Sequence, residues 1–204
     1  LKKIGFNKVF DTNFTADLTI MEEGSELIQR IKTGKNLPLI TSCSPGWINY
    51  AELRQHDLLN NISTCKSPQQ MFGALSKTYY ADQEKIKSED IVSVSIMPCT
   101  AKKYEANRSE MKNDVDFVLT TRELAKLIKS YSIDFLNLKA SPFDAPFGIS
   151  TGAAAIFGTS GGLMEAALRT AYELLTEKKL EAIDFKMVRG LTGTKEATIE
   201  ILDQ

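Results

Sequence analysis

Thr41-Ser-Cys-Ser-Pro-Gly-Trp47 and, further along, Met97-Pro-Cys-Thr-Ala-Lys102 decide how this chain is read. Each stretch follows a short apolar run, residues 37–40 in the first case and Ile91-Val-Ser-Val-Ser-Ile96 in the second. Runs of this length that are rich in β-branched residues suit buried strands. The residues after each cysteine suit a helix. In an open α/β sheet the ligand site lies beyond the carboxyl ends of the strands, which puts Cys43 and Cys99 at one cleft. This plan of strand, cysteine loop and helix occurs twice. It predicts an α/β fold of two facing lobes of mixed or parallel sheet flanked by helices, with the site in the cleft between them.

Working outward, residues 16–33 place Ile20, Leu27, Ile28 and Ile31 on one helical face, with Asp17 near the start and Gly24 as a weak point. Residues 115–119 read as a strand, and Thr120-Thr-Arg-Glu123 has capping-box spacing ahead of Leu124, Leu127 and Ile128. Residues 139–150, which carry Pro142 and Pro146, read as a connecting loop. Gly158-Thr-Ser-Gly-Gly162 opens a helix that runs to about Glu177, and strands are expected over residues 185–189 and 198–202. No internal repeat or low-complexity tract interrupts this alternation.

The composition narrows the function classes. The 204 residues carry 25 Lys+Arg against 26 Asp+Glu, a formal charge of -1, and have no basic cluster of the kind that non-specific nucleic-acid binding requires. The longest charge-free window, residues 145–164, is rich in Gly, Ser, Thr and Pro, so it reads as loop and not as a membrane span. Cys43, Cys65 and Cys99 make no plausible disulfide framework, which points to a reducing, cytoplasmic compartment or to thiols kept for chemistry. A thiol beside a Pro-shaped turn and a helix N-terminus has its thiolate favoured, the form that binds soft metals. Cys43 and Cys99 have that context. Cys65, between Thr64 and Lys66, lacks it and reads as structural. Leu1 in place of Met, and a final stretch from Ala197 to Gln204 that stops without a turn, read as part of a longer protein.

The two cysteine stretches, the second extended to Met97-Pro-Cys-Thr-Ala-Lys-Lys-Tyr-Glu105, resemble the first two signature motifs of the catalytic domain of iron-only (FeFe) hydrogenases. Phe14-Thr-Ala-Asp-Leu-Thr-Ile-Met-Glu-Glu23, Lys66-Ser-Pro-Gln-Gln70 and Gly158-Thr-Ser-Gly-Gly-Leu-Met-Glu165 resemble further stretches of that domain in the same order. The resemblance implies reversible reduction of protons to hydrogen at the H-cluster, a 4Fe-4S cubane joined through a cysteine to a di-iron centre bearing carbonyl, cyanide and an azadithiolate. By the same resemblance Cys99 is a cubane ligand and Lys102 a hydrogen-bond donor to a cyanide. Met97, Pro98 and Pro68 pack around the cluster. Cys43 exchanges protons with the bridging amine, and Glu26, Ser63 and Glu23 form a relay from solvent to it. The helical spacing of Glu23 and Glu26, at i and i+3, is compatible with that role, although a lone pair of this kind more often marks a solvated face. The implied partners are a ferredoxin-like or NAD(P)H-linked electron donor, accessory iron-sulfur domains or subunits, and hydrogenase maturation proteins.

Two departures from the family pattern stand out. Its first motif usually has adjacent cysteines, the second a cubane ligand, and here that second position is Ser44. A hydroxyl is a harder, less acidic ligand than a thiol. Either Ser44 ligates weakly, or Cys43 takes over as ligand, or the family accommodates the change by other means. The third motif, with two more cluster cysteines, is missing, so residues 1–204 read as a partial catalytic domain truncated at both ends. The resemblance leaves a second reading, a hydrogenase-like iron-sulfur assembly or sensory protein without hydrogen turnover. A third reading, a flavodoxin-like module that cradles phosphate at residues 158–162, lacks a Walker lysine and dinucleotide spacing. His56 reads as a surface residue and Trp47 as a core aromatic.

Overall fold

The computed structural model describes residues 1–178, 180, 186–187 and 193–200. Its longest element is α1 (Asn13–Thr33), which ends at Gly34 in the left-handed conformation, a geometry that glycine adopts without steric cost. The helix starts three residues before the apolar period does. Its buried residues also differ from the apolar face read from the sequence. Ile20 is buried, but Ile31 is 48% exposed and Leu27 and Ile28 are only half-covered. The inward face is largely polar: Thr15, Thr19, Glu23 and Arg30 are all buried. Gly24 lies on this inward side against α8 (Gly162–Thr176), where a Cβ would be 3.5 Å from Thr170 Cγ2, an ordinary van der Waals contact.

The repeated plan is present in the backbone. Ile40 pairs in parallel with Ile62 through a single bridge, and between them run the first cysteine stretch and α2 (Pro45–Arg54). Two hydrogen bonds close the bridge, Ile40 N to Asn61 O at 2.8 Å and Ser63 N to Ile40 O at 2.7 Å. In the second unit β1 (Val94–Ile96) pairs in parallel with β2 (Phe117–Leu119), Val94 opposite Phe117, with the second cysteine stretch and α5 (Ala101–Ala106) between them. The run at residues 91–96 is thus shorter as a strand than it reads, because Ile91 ends a 3₁₀ turn. α2 and α5 pack together, and so the two units face each other.

α3 (Pro68–Leu75) continues through a π-helical turn (Ser76–Tyr80) into α4 (Ala81–Glu84). Gly73 is required where α3 crosses the chain entering β2: a Cβ there would fall 2.5 Å from the Asp114 carbonyl carbon and 2.7 Å from Val115 Cγ2. α6 (Thr121–Ser130) begins with the expected capping box, Glu123 N donating to Thr120 Oγ1 and Thr120 N to Glu123 Oε2.

The loop over residues 139–150 is irregular, as read, but it carries the centre of the aromatic core. Phe147, 2% exposed, stacks against Phe10, Phe14 and Phe72 at centroid distances of 4.9 to 5.5 Å. Asp17 caps a different helix from its own, accepting from Thr151 N and Ala154 N at the start of α7 (Gly152–Phe157). The glycines at 158–162 make the turn between α7 and α8. Gly161 has φ +79°, and a Cβ on Gly162 would collide with the Ile156 carbonyl. A short antiparallel pair, β3 (Lys186–Met187) with β4 (Lys195–Glu196), follows. The rest of the expected strand over 185–189 and residues 201–202 of the last one lie outside the described residues, and 198–200 are not in a strand. Among the described residues no helix is long and apolar enough to cross a membrane.

Candidate functional site

Four of the residues singled out in the sequence lie along one buried polar line where α1 meets the first unit. Glu26, on α1, is the better satisfied of the two carboxylates on this line. Its Oε1 accepts from Arg30 Nε at 3.0 Å and Nη2 at 2.6 Å, and its Oε2 from Ser63 Oγ at 2.8 Å. Thr64 N also points at it, 3.1 Å from Oε2. Burial alone would raise the pKa of this carboxyl, but the Ser63, Arg30 and Thr64 donors outweigh burial and hold it below the usual carboxylate value. Arg30 is pinned by carbonyls as well as by Glu26: Asn36 O, Asn61 O and Ile62 O accept from it at 2.8 to 2.9 Å.

Glu23, one helical turn toward the N-terminus, is in the opposite condition. It is 1% exposed, its Oε1 has only a long contact from Ser42 N at 3.4 Å, and its Oε2 has no partner. Burial pushes its pKa up, and the nearby Ser63 and Ser42 hydroxyls draw it only part of the way back. A carboxyl held this way keeps its proton more readily than its neighbour does, so the two carboxylates are pushed apart in acidity by their surroundings.

Cys43, half-buried, follows Ser42 and is close enough to Glu23 to feel its charge. Burial, then the charge of Glu23, raises its thiol, and Lys102 only partly offsets this. The expectation of a thiolate favoured by the helix N-terminus is therefore reversed here, because desolvation outweighs the cation. A protonated thiol is a proton carrier, whereas a metal ligand needs the thiolate. Lys102 reaches across from the second unit: its Nζ donates to the Cys43 carbonyl at 2.9 Å and to Glu105 at 3.1 and 3.2 Å. Glu105, 5% exposed, also accepts from Ser67 Oγ at 2.8 Å and Gln69 Nε2 at 3.2 Å, and Gln69 is held in turn by Ser95 of β1. The second unit, α3 and the first cysteine loop thus share one polar knot that the sequence reading did not foresee. Its signal was the glutamate three residues after Lys102, an i,i+3 partner.

Cys99 and Pro98 are exposed and Met97 is half-covered, its N–H extending the parallel ladder to Leu119 O. Pro68 is buried at the first position of α3. Ser44 is exposed at the N-cap of α2, yet its hydroxyl makes no capping bond. Serine in that position usually caps, so this hydroxyl is left available. An exposed thiol and an uncommitted hydroxyl fit one side of an iron-sulfur group. Among the described residues, however, no set of three or more His, Cys, Asp or Glu is grouped to hold a metal. A cubane takes four ligands, of which these residues would supply only a part. His56 is exposed, and the Trp47 ring lies 6.1 Å from that of Tyr50.

Cys65, read from the sequence as structural, touches the same polar line: its N–H donates to Ser63 Oγ at 3.1 Å, its carbonyl accepts from Ser42 Oγ at 2.6 Å, and its Sγ is 3.7 Å from Glu26 Oε2. No strand end marks it in sequence. Only its distance of two residues from Ser63 hints at these contacts. It also lines an open cavity of about 390 Å³ between the two units, together with Ser42, Ser63 and, at the other side, Arg108 paired to Glu52.

This fold and this arrangement define a class. Residues 1–204 match the family described as the iron only hydrogenase large subunit, C-terminal domain, and the chain belongs to that family. It is 55% identical, over its whole length, to the NADP-reducing hydrogenase subunit HndD of Solidesulfovibrio fructosivorans. Over 98% of its length it is 51% identical to iron hydrogenase 1 of Clostridium pasteurianum. It spans 36% of each of those proteins. An apo [FeFe]-hydrogenase structure from Chlamydomonas reinhardtii superposes with a TM-score of 0.81 at 47% identity, covering 94% of this chain and 50% of the other. More distantly, the chain is 34% identical over 98% of its length to the cytosolic Fe-S cluster assembly factor narfl of Xenopus tropicalis, spanning 44% of that protein.

Proposed function

We propose that residues 1–204 form the proton-delivery side and part of the cluster cradle of an FeFe-hydrogenase catalytic domain that continues beyond them in its parent protein. That parent reversibly reduces protons to hydrogen with electrons from a ferredoxin-like or NAD(P)H-linked donor in the cytoplasm. The observation that carries this reading is that Ser63 Oγ donates to Glu26 Oε2 at 2.8 Å beside a buried Glu23 whose Oε2 has no partner, the surroundings drawing the Glu26 carboxyl down and the Glu23 carboxyl up. A scaffold has no use for two carboxylates tuned apart on one buried line.

The H-cluster, when bound, supplies the electrons and the site at which hydrogen is made or split. The chain does the rest. Cys99 would hold one iron of the cubane, with Ser44 beside the same loop end as a weak oxygen donor, and Met97, Pro98 and Pro68 would wall the pocket. Lys102 brings a cation to the cleft, where it would face an anionic ligand. Glu26 takes a proton from solvent, Ser63 passes it by accepting and donating at one oxygen, and Glu23 holds it. Cys43, kept protonated by burial, delivers it.

The test is hydrogen evolution by the full-length parent, produced with its maturation enzymes and supplied with a reduced low-potential donor. Turnover supports the proposal, and a fully iron-loaded parent without turnover contradicts it. The narfl likeness and Ser44 favour a second reading, an assembly or sensory protein. Infrared bands of iron-bound carbonyl and cyanide in the matured parent separate the two, because only the catalytic reading requires them.

A further inference from the structure

We propose that Cys65 is a positioning residue of the relay, its thiol capping Glu26 Oε2 and its main chain fixing the hydroxyls on either side. This rests on reading Glu26 as a relay station and adds a residue that reading did not contain. Three separate groups of Cys65 touch the line. The N–H occupies one lone pair of Ser63 Oγ at 3.1 Å, which directs the hydroxyl proton along the 2.8 Å bond to Glu26 Oε2. The carbonyl ties down Ser42 Oγ at 2.6 Å, and Ser42 N is the group that contacts Glu23 Oε1. The thiol, at 3.7 Å, is within sulfur hydrogen-bond range of the same Oε2 that Ser63 uses.

The side chain type matters for two reasons. Burial lifts the Cys65 thiol to about 11, so through the neutral range it stays a neutral donor that neither takes the relay proton nor adds a charge. It also faces the cavity of about 390 Å³, which Ser42 and Ser63 line but neither carboxylate does. Cys65 therefore stands between that open space and Glu26. Alanine leaves Oε2 without this donor, and a hydroxyl donates to it more strongly. The groups that face Glu26 are Arg30 and Glu23 from α1 and Ser63, Thr64 and Cys65 from the following loop.

The experiment uses the full-length parent with Cys65→Ala and Cys65→Ser. In the apo protein, the carboxyl stretch of Glu26, assigned by its loss in Glu26→Gln, is titrated by infrared spectroscopy. In the matured protein the pH profile of hydrogen evolution is recorded. Removing a donor raises the Glu26 titration by about half a pH unit, and the stronger hydroxyl donor lowers it by a similar amount. The pH profile moves in the same directions while the carbonyl and cyanide bands stay put. If Cys65→Ala does not fold, the opposite shift in Cys65→Ser decides the matter. Unshifted titrations, or shifts of one sign in both variants, overturn the role of Cys65 and leave the relay reading standing. Shifted titrations with an unmoved pH profile overturn both.

Discussion

Replacing Arg30 by leucine tests how the polar line from Glu26 to Ser63 is held together. Arg30 is 7% exposed and is the shared donor for Glu26 and for the Asn36, Asn61 and Ile62 carbonyls. Removing one partner of a buried ion pair costs about 3–5 kcal/mol, because the other charge is left uncompensated. Asn36 is exposed and its carbonyl rehydrates, which favours the lower end, about 3 kcal/mol. For a domain of this size that corresponds to roughly 6–12 °C in melting temperature. Much of the loss is the stranded Glu26 carboxylate, so adding Glu26→Gln to Arg30→Leu recovers about half of it, a coupling read from a double-mutant cycle. The effect also has a pH signature. Glu26 is held below its ordinary value of 4.5, so its stabilisation is present above that value and is lost as pH falls through the lower, folded-state value. The gap between wild type and Arg30→Leu narrows over that acidic window. The assay is calorimetric melting of the catalytic-domain transition in the full-length apo parent. Strictly additive losses, or a gap independent of pH, refute the reasoning.

Gly73→Ala forces α3 off the Asp114–Val115 backbone and destabilises by about 2–3 kcal/mol, measured by the same melting. Thr120→Ala removes the N-cap of α6 and costs about 1 kcal/mol, and it raises the Glu123 carboxyl from about 2, read by NMR titration. That shift is partial, because Lys103 is the larger cause of the low value. Ser44→Cys leaves the fold unchanged, since the hydroxyl makes no capping bond. It increases retention of the cubane in the reconstituted parent under a chelator challenge, followed by its visible absorbance.

The two cysteine stretches made the α/β plan legible because a strand, a loop and a helix each leave a local pattern, and the parallel pairings Ile40 with Ile62 and Val94 with Phe117 realise it. α1 was legible in extent but not in its buried face. A stripe of Thr15, Thr19, Glu23 and Arg30 has no hydrophobic period, and only the loops folded over it show why it is inside. Phe147 was hidden for the converse reason: it sits in a proline-marked loop, where burial depends on partners distant in sequence. At the site, the resemblance named Glu23, Glu26, Ser63, Cys43, Lys102 and Cys99. It did not foresee the Glu105 knot or Cys65, whose contacts are main-chain and long-range. Asp17 shows the same limit, since the sequence places it only near the start of its own helix and it caps α7.

The central claim is that Glu23 carries the proton between Ser63 and Cys43, and Glu23→Gln in the matured full-length parent tests it most directly. Glutamine keeps the size and polarity of the side chain but holds no transferable proton. The account predicts that the carbonyl and cyanide infrared bands are retained while hydrogen evolution falls by about 10²-fold or more. Retained bands with wild-type turnover would contradict it.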